Sequence, residues 1–174
     1  MDDIVSILKH EGVGVIPTDT LYGLVGSAFS KKAVERIYTI KGRDEDKPFI
    51  ILLSSASDLK KFGITLESSH KKILRSVWPG QVSVILPCKG NTFAYLHRGQ
   101  KSLAFRIPKN TLLEKLLKKT GPLVAPSANP QSKVPAQTIL EAQKYFKDAV
   151  DFYVGAGIKK GNPSTIVSLV SGRI

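Results

Sequence analysis

KGRDEDKPFIILL, residues Lys41 to Leu53, sets six charged side chains within seven residues against an unbroken apolar run. The second half, PFIILL, is short, continuous and apolar, as expected of a strand buried on both faces. The α/β reading of the chain turns on this element. The first half has two readings. Lys41 and Arg43 fall just past a helix end, where cations complement exposed carbonyls. On an extended segment, however, residues two apart point to the same side. Two such cations form a phosphate clamp, with Arg43 as a planar fork and Lys41 as a point charge. The acidic triplet Asp44–Asp46 is either solvated or helps to hold a metal ion.

Helices and strands extend on both sides of this stretch. Asp2 or Asp3 is placed to cap a helix with Ile4, Ile7 and Leu8 on one face, ending near Gly12. VGVIPT reads as a strand running into a loop, TDTLYGLVG. Ser30 then opens a helix whose apolar face is Ala33, Val34, Ile37 and Tyr38. Downstream, helical stretches are expected around 56–62 and 67–77, closed by Trp78-Pro79-Gly80. QVSVILP and SLAFRIP alternate as strands do. TLLEKLLKKTG is a helix with Asn110 as its cap and Gly121 as its stop. PLVAPS is a strand, PAQTILEAQKYF a helix, and DFYV and STIVSL are closing strands. There is no strict βαβ rhythm. The expectation is a single domain over residues 1–174, α/β or α+β, with a twisted mixed sheet.

At 174 residues the chain can bury a real core, and its 42% hydrophobic and 23% charged content is ordinary for a globular protein. A single cysteine, Cys88, excludes an internal disulfide and reads as a small buried hydrophobe. No Cys/His spacing suggests zinc. With no long apolar span and no cleavable signal, a cytoplasmic protein without a membrane partner is expected. The net charge of +12 should attract nucleotides, nucleic acid or other polyanions. The lysines are scattered in pairs, such as Lys60–Lys61 and Lys71–Lys72, so charge alone leaves a small anion and an RNA both open.

Four further stretches carry chemistry. In PTDTLYGL, Thr18, Asp19 and Thr20 stand at a strand's C-terminal end, either holding a polar ligand or forming an Asx or Ser/Thr turn. In SLAFRIP, Ser102, Ala104 and Arg106 share a strand face. An arginine in an apolar strand is costly unless it meets an anion, either a ligand or a structural carboxylate. APSANPQSK holds Ser127 and Asn129 between two prolines, and GNPSTIV places Ser164 and Thr165 at a strand start. Neither a Walker phosphate loop nor a G-x-G-x-x-G fingerprint occurs. His10, His70 and His97 lack a neighbouring nucleophile–base pattern and read as surface or structural.

PTDTLYGL, KGRDEDKPF, WPGQVSVILP, LAFRIP and APSAN, with the later PSTIV, together resemble the YrdC family of threonylcarbamoyl-adenylate synthases. The likeness runs from about Gly12 to Val167. It implies a YrdC-like fold with a basic concave face. The implied activity is formation of threonylcarbamoyl-AMP and pyrophosphate from L-threonine, bicarbonate and ATP, with Mg2+ accompanying the nucleotide. Partner proteins would then pass the threonylcarbamoyl group to adenosine 37 of tRNA. Motif matching puts Lys41 and Arg43 in the catalytic role at the phosphates, and Lys47, Ser102, Ser127 and Asn129 at the nucleotide. Thr20, Tyr22, Arg106, Ala125, Ser164 and Thr165 match threonine-binding positions, with Arg106 available to the carboxylate.

The implied reaction needs no protein nucleophile. Threonine's free amine forms a carbamate, whose oxygen attacks the α-phosphorus as pyrophosphate leaves. The protein's work is positioning and charge neutralisation. Some members carry Asn where Lys47 stands and His where Leu52 stands, so contacts there must differ. Arg173 comes too early to match the family's late arginine, as a truncated or partial product would show. The rivals are an RNA-binding module using the basic surface, and a paralogue acting on another acyl or carbamoyl substrate.

Overall fold

The computed structural model describes residues 1–170. Arg173 lies outside the described residues. In chain order the elements are α1 (Asp2–Lys9), β1 (Val13–Pro17), β2 (Tyr22–Ser27), α2 (Lys31–Lys41) and β3 (Ile50–Leu52). A 3-10 helix (Ala56–Phe62) precedes α3 (Ser68–Val77), β4 (Val82–Pro87), α4 (Ala94–His97) and β5 (Ser102–Arg106). The chain continues through α5 (Thr111–Thr120), β6 (Leu123–Val124), α6 (Ile139–Phe146), β7 (Phe152–Tyr153) and β8 (Thr165–Ser168). None of the helices described is long and apolar enough to cross a membrane.

The eight strands of the described residues join one mixed sheet in the order β7-β1-β2-β6-β3-β5-β4-β8. The short β3 is central, parallel to β5 and antiparallel to β6. Its side chains alternate between two apolar clusters, as the PFIILL run predicts. Ile51 and Leu53 face the larger one, with the apolar side of α2, while Leu52 joins Leu8 of α1 and Leu113, Leu116 and Leu117 of α5 on the other face. Burying side chains such as these on both sides supplies about 1.5–3 kcal/mol each, which drives the layering.

Two helices follow their local signals closely. Ser30 caps α2 by accepting from the Ala33 amide, and Ala33, Val34, Ile37 and Tyr38 are buried. Asn110 caps α5 by accepting from the Leu113 amide, and Gly121 ends it. Three expectations need correction. α1 has Met1 at its cap position without a side-chain bond, and it buries Val5 and Leu8, not Ile7. α6 starts at Ile139 behind the Thr138 cap, later than PAQT suggests. Most consequentially, YGLVGS is not loop but β2, paired with β1 from Val13↔Gly26 to Pro17↔Tyr22. Tyr22 to Gly26 are all buried, so no polar–apolar alternation marks the strand.

Candidate active site

α1 and α5 cover only part of their sheet face. What they leave open is a cavity of about 570 Å³. Its floor follows from the pleat: Ser102, Ala104 and Arg106 of β5 face it together, flanked by Ile50 of β3 and Ile85 of β4. Thr18, Thr20 and Gly23 wall one side, and Ala125, Pro126 and Ser127 another. Pro163, Ser164 and Ile166 arrive from the chain's last crossing. Among the described residues the lining includes two arginines, Arg43 and Arg106, and no carboxylate, histidine or cysteine.

Arg106 is only 4% exposed. Its Nη2 lies 3.3 Å from Asp19 Oδ1 and 3.4 Å from Thr20 Oγ1. The structural ion pair left open by the sequence therefore exists, but it is loosely made. Among the described residues, neither Arg106 Nε nor Asp19 Oδ1 has a hydrogen-bond partner. Burial lowers the guanidinium's pKa, and the Asp19 charge opposes that shift. Thr20 is held from behind, since Thr18 Oγ1 accepts from its amide at 3.1 Å and lies 3.0 Å from its hydroxyl.

Arg43 also lines the cavity. Its Nε donates to the Lys47 carbonyl at 3.0 Å and its guanidinium lies 5.4 Å from the Phe49 ring centroid, which leaves its other donors for a ligand. Lys41 is placed differently. It is the last residue of α2, and Gly42 turns left-handed (φ 57°) directly after it, so the pair is not on an extended segment. The Lys41 ammonium is buried and donates to the carbonyls of Ser127 and Asn129 at 2.6 and 2.5 Å. Burial and the nearby Arg43 charge push its pKa down to about 8. Lys41 braces the APSAN loop and does not line the cavity.

Other expected residues divide in the same way. Asn129 organises its own loop, with Oδ1 accepting from Ser127 Oγ at 2.6 Å and Nδ2 donating to the Lys133 carbonyl at 2.6 Å. The Lys47 ammonium pairs with Asp44, outside the cavity. Among the described residues no group of three His, Cys, Asp or Glu could hold a metal, so the acidic triplet forms no such site. Tyr22 borders the cavity, but its hydroxyl donates to the Gly157 carbonyl and accepts from the Ala156 amide, both at 2.8 Å. It anchors the crossing segment. Ser164 lines the cavity, 2.8 Å from the Ser83 hydroxyl, whereas Thr165 begins the exposed strand β8 outside it. Ser102, Ser127 and Ala125 line it as expected. Gln100, Pro48 and Pro135 also line it, and no local signal marked them. Nor did one mark Gly161, where an added Cβ would sit 2.4 Å from the Thr20 carbonyl oxygen.

The family model for Sua5, YciO and YrdC proteins, described as "Telomere recombination", matches residues 6–174. A threonylcarbamoyl-AMP synthase of Nitrosococcus oceani is 34% identical over 163 residues, covering 92% of this chain and 88% of the relative. One from Bacillus subtilis is 33% identical over 92% of this chain, which spans 46% of that relative. The crystal structure of P. abyssi Sua5 complexed with L-threonine superposes with a TM-score of 0.89 at 26% identity, covering 96% of this chain and 50% of that one. The chain thus spans about half of the two longer proteins and most of the Nitrosococcus one.

Proposed function

The chain belongs to the Sua5/YciO/YrdC family, and on that premise we propose that it is a threonylcarbamoyl-AMP synthase. Its substrates are L-threonine, bicarbonate and ATP. The observation that carries this reading is a cavity lined, among the described residues, by two guanidiniums, several hydroxyls and no nucleophile–base pair. Such a lining suits the alignment of two anions.

In the reaction, the threonine amine as free base combines with bicarbonate to give a carbamate and water. A carbamate oxygen then bonds to the α-phosphorus of ATP, the bond from that phosphorus to the bridging β-oxygen breaks, and pyrophosphate departs. Arg106, with Thr20 beside it, takes threonine's carboxylate by a charge-assisted bond. Arg43, Ser127 and Ser102 receive the nucleotide, so the charges that would repel are each met by a fixed donor. Lys41 and Asn129 act through the loop they hold. Mg2+, where it accompanies ATP, would be held by the triphosphate and water, since the described residues offer no cluster of carboxylates for it. We place the enzyme in the cytoplasm, where other proteins take the threonylcarbamoyl group to tRNA adenosine 37.

The test is pyrophosphate release with each substrate omitted in turn. Product should form only with ATP, L-threonine and bicarbonate together. ATP turnover of equal rate without threonine would overturn the reading.

A further inference from the structure

A second concavity, of about 530 Å³, lies away from the active-site cavity and shares none of its lining residues. One wall is the 3-10 helix, with Lys60 exposed at its rim, Leu59 buried beneath it, and Gly63 at its end. The other is α3, whose Lys71, Leu74 and Arg75, with Trp78 just beyond, recur at helical spacing and face inward as one stripe. Ile64 and Leu66 of the connecting loop close the bottom, with Ile107 behind.

The floor is aliphatic, with Leu66 and Ile107 half-buried over the buried Leu59, Ile64 and Leu74, and the rim is positive on both walls, with Lys60 on one side and Lys71 and Arg75 on the other. Among the described residues none of the three cations has a carboxylate within ion-pair distance; the nearby Asp58 is taken by Lys61. Nor does any carboxylate among the described residues line the groove. We propose that this groove docks an acidic amphipathic helix from a partner protein. An apolar stripe flanked by carboxylates along both edges is the shape and charge that an aliphatic floor between two cationic walls complements. An anion with a single charged end would use only one wall. Nucleic acid fits less well, because the one aromatic ring in the groove, Trp78, is 8% exposed with its Nε1 donating to the Val82 carbonyl, and offers no stacking platform. The inference does not rest on the reading of the active site.

Trp78 is the chain's single tryptophan, so its fluorescence reports on this groove directly. The probe is a synthetic helix of about five turns, with leucine along one stripe and glutamate on both flanks. It would be titrated beside a shuffled peptide of equal composition and a single-stranded oligoribonucleotide. The glutamate helix should shift Trp78 emission saturably. Lys71→Glu/Arg75→Glu, both exposed positions, should weaken that binding at least about tenfold and leave pyrophosphate release unchanged. Equal binding by the shuffled peptide, indifference to the double charge reversal, or no emission change with the helix would each overturn the proposal. So would an oligoribonucleotide that binds here while the helix does not.

Discussion

Arg106 Nη2 lies 3.3 Å from Asp19 Oδ1, with the two side chains 4% and 5% exposed, yet Asp19 Oδ1 has no hydrogen-bond partner among the described residues. The charges are near each other without being aligned. Arg106 Nε is also without a partner among the described residues, a donor free for the threonine carboxylate proposed above.

Arg106→Gln should therefore reduce threonine affinity by about 1.5–3 kcal/mol, the range for a hydrogen bond to a charged group, while ATP still binds. Stability should fall too, since Asp19 is left as a buried unpaired charge. The double variant Asp19→Asn/Arg106→Gln should recover stability and not threonine binding. Calorimetry with threonine and with threoninamide checks this. Threoninamide binding as well as threonine would make Arg106 purely structural.

Lys41 and Arg43 should separate cleanly. Arg43→Ala is expected to weaken ATP binding by about 1.5–3 kcal/mol with little change in stability. Lys41→Ala should also lower stability, by about 1–3 kcal/mol, because the Ser127 and Asn129 carbonyls lose their buried donor. Urea unfolding beside ATP titration distinguishes the two. Equal stability loss in both variants would contradict the assignment of Lys41 to the loop.

The depressed Lys41 pKa has a signature in stability against pH. Folded Lys41 releases its proton near pH 8, whereas an unfolded lysine holds it to about 10.4. Within that window the unfolded chain binds more protons, so this residue's contribution makes stability rise with pH, by up to about 1.4 kcal/mol per unit. The penalty of burying the charge is fully present below pH 8. Tyr38, Tyr95 and Cys88, whose pKa values burial raises, act in the opposite sense. The readout is therefore the difference between the parent chain and Lys41→Met at pH 7.5 to 9.5. Parallel curves would refute it.

Gly161→Ala tests the crossing segment. Its Cβ would meet the Thr20 carbonyl oxygen at 2.4 Å, so one backbone must move away. Threonine affinity should fall while ATP affinity holds, and amide exchange should quicken around residues 155–163. Unchanged threonine binding would show that the segment does not set the geometry at Thr20.

The sequence alone determined those features whose signals are short in range. α2 and α5 were legible from their caps, Ser30 and Asn110, and their apolar periodicity. The shared face of Ser102, Ala104 and Arg106 was legible because a strand has period two. The ordered motifs were enough to indicate the family. Tertiary structure alone decided the rest. β2 was hidden because burial on both faces erases alternation, and the pairing that buries it comes from β1 and β6. Lys41 read as a ligand cation because nothing local reveals that the loop at Ser127 and Asn129 folds over its ammonium. Tyr22, matched by resemblance to a threonine position, does border the cavity, but that its hydroxyl holds Ala156 and Gly157 was not legible, because those partners lie more than a hundred residues away. Local periodicity states which face of an element is buried; which polar group meets it there depends on where the chain returns.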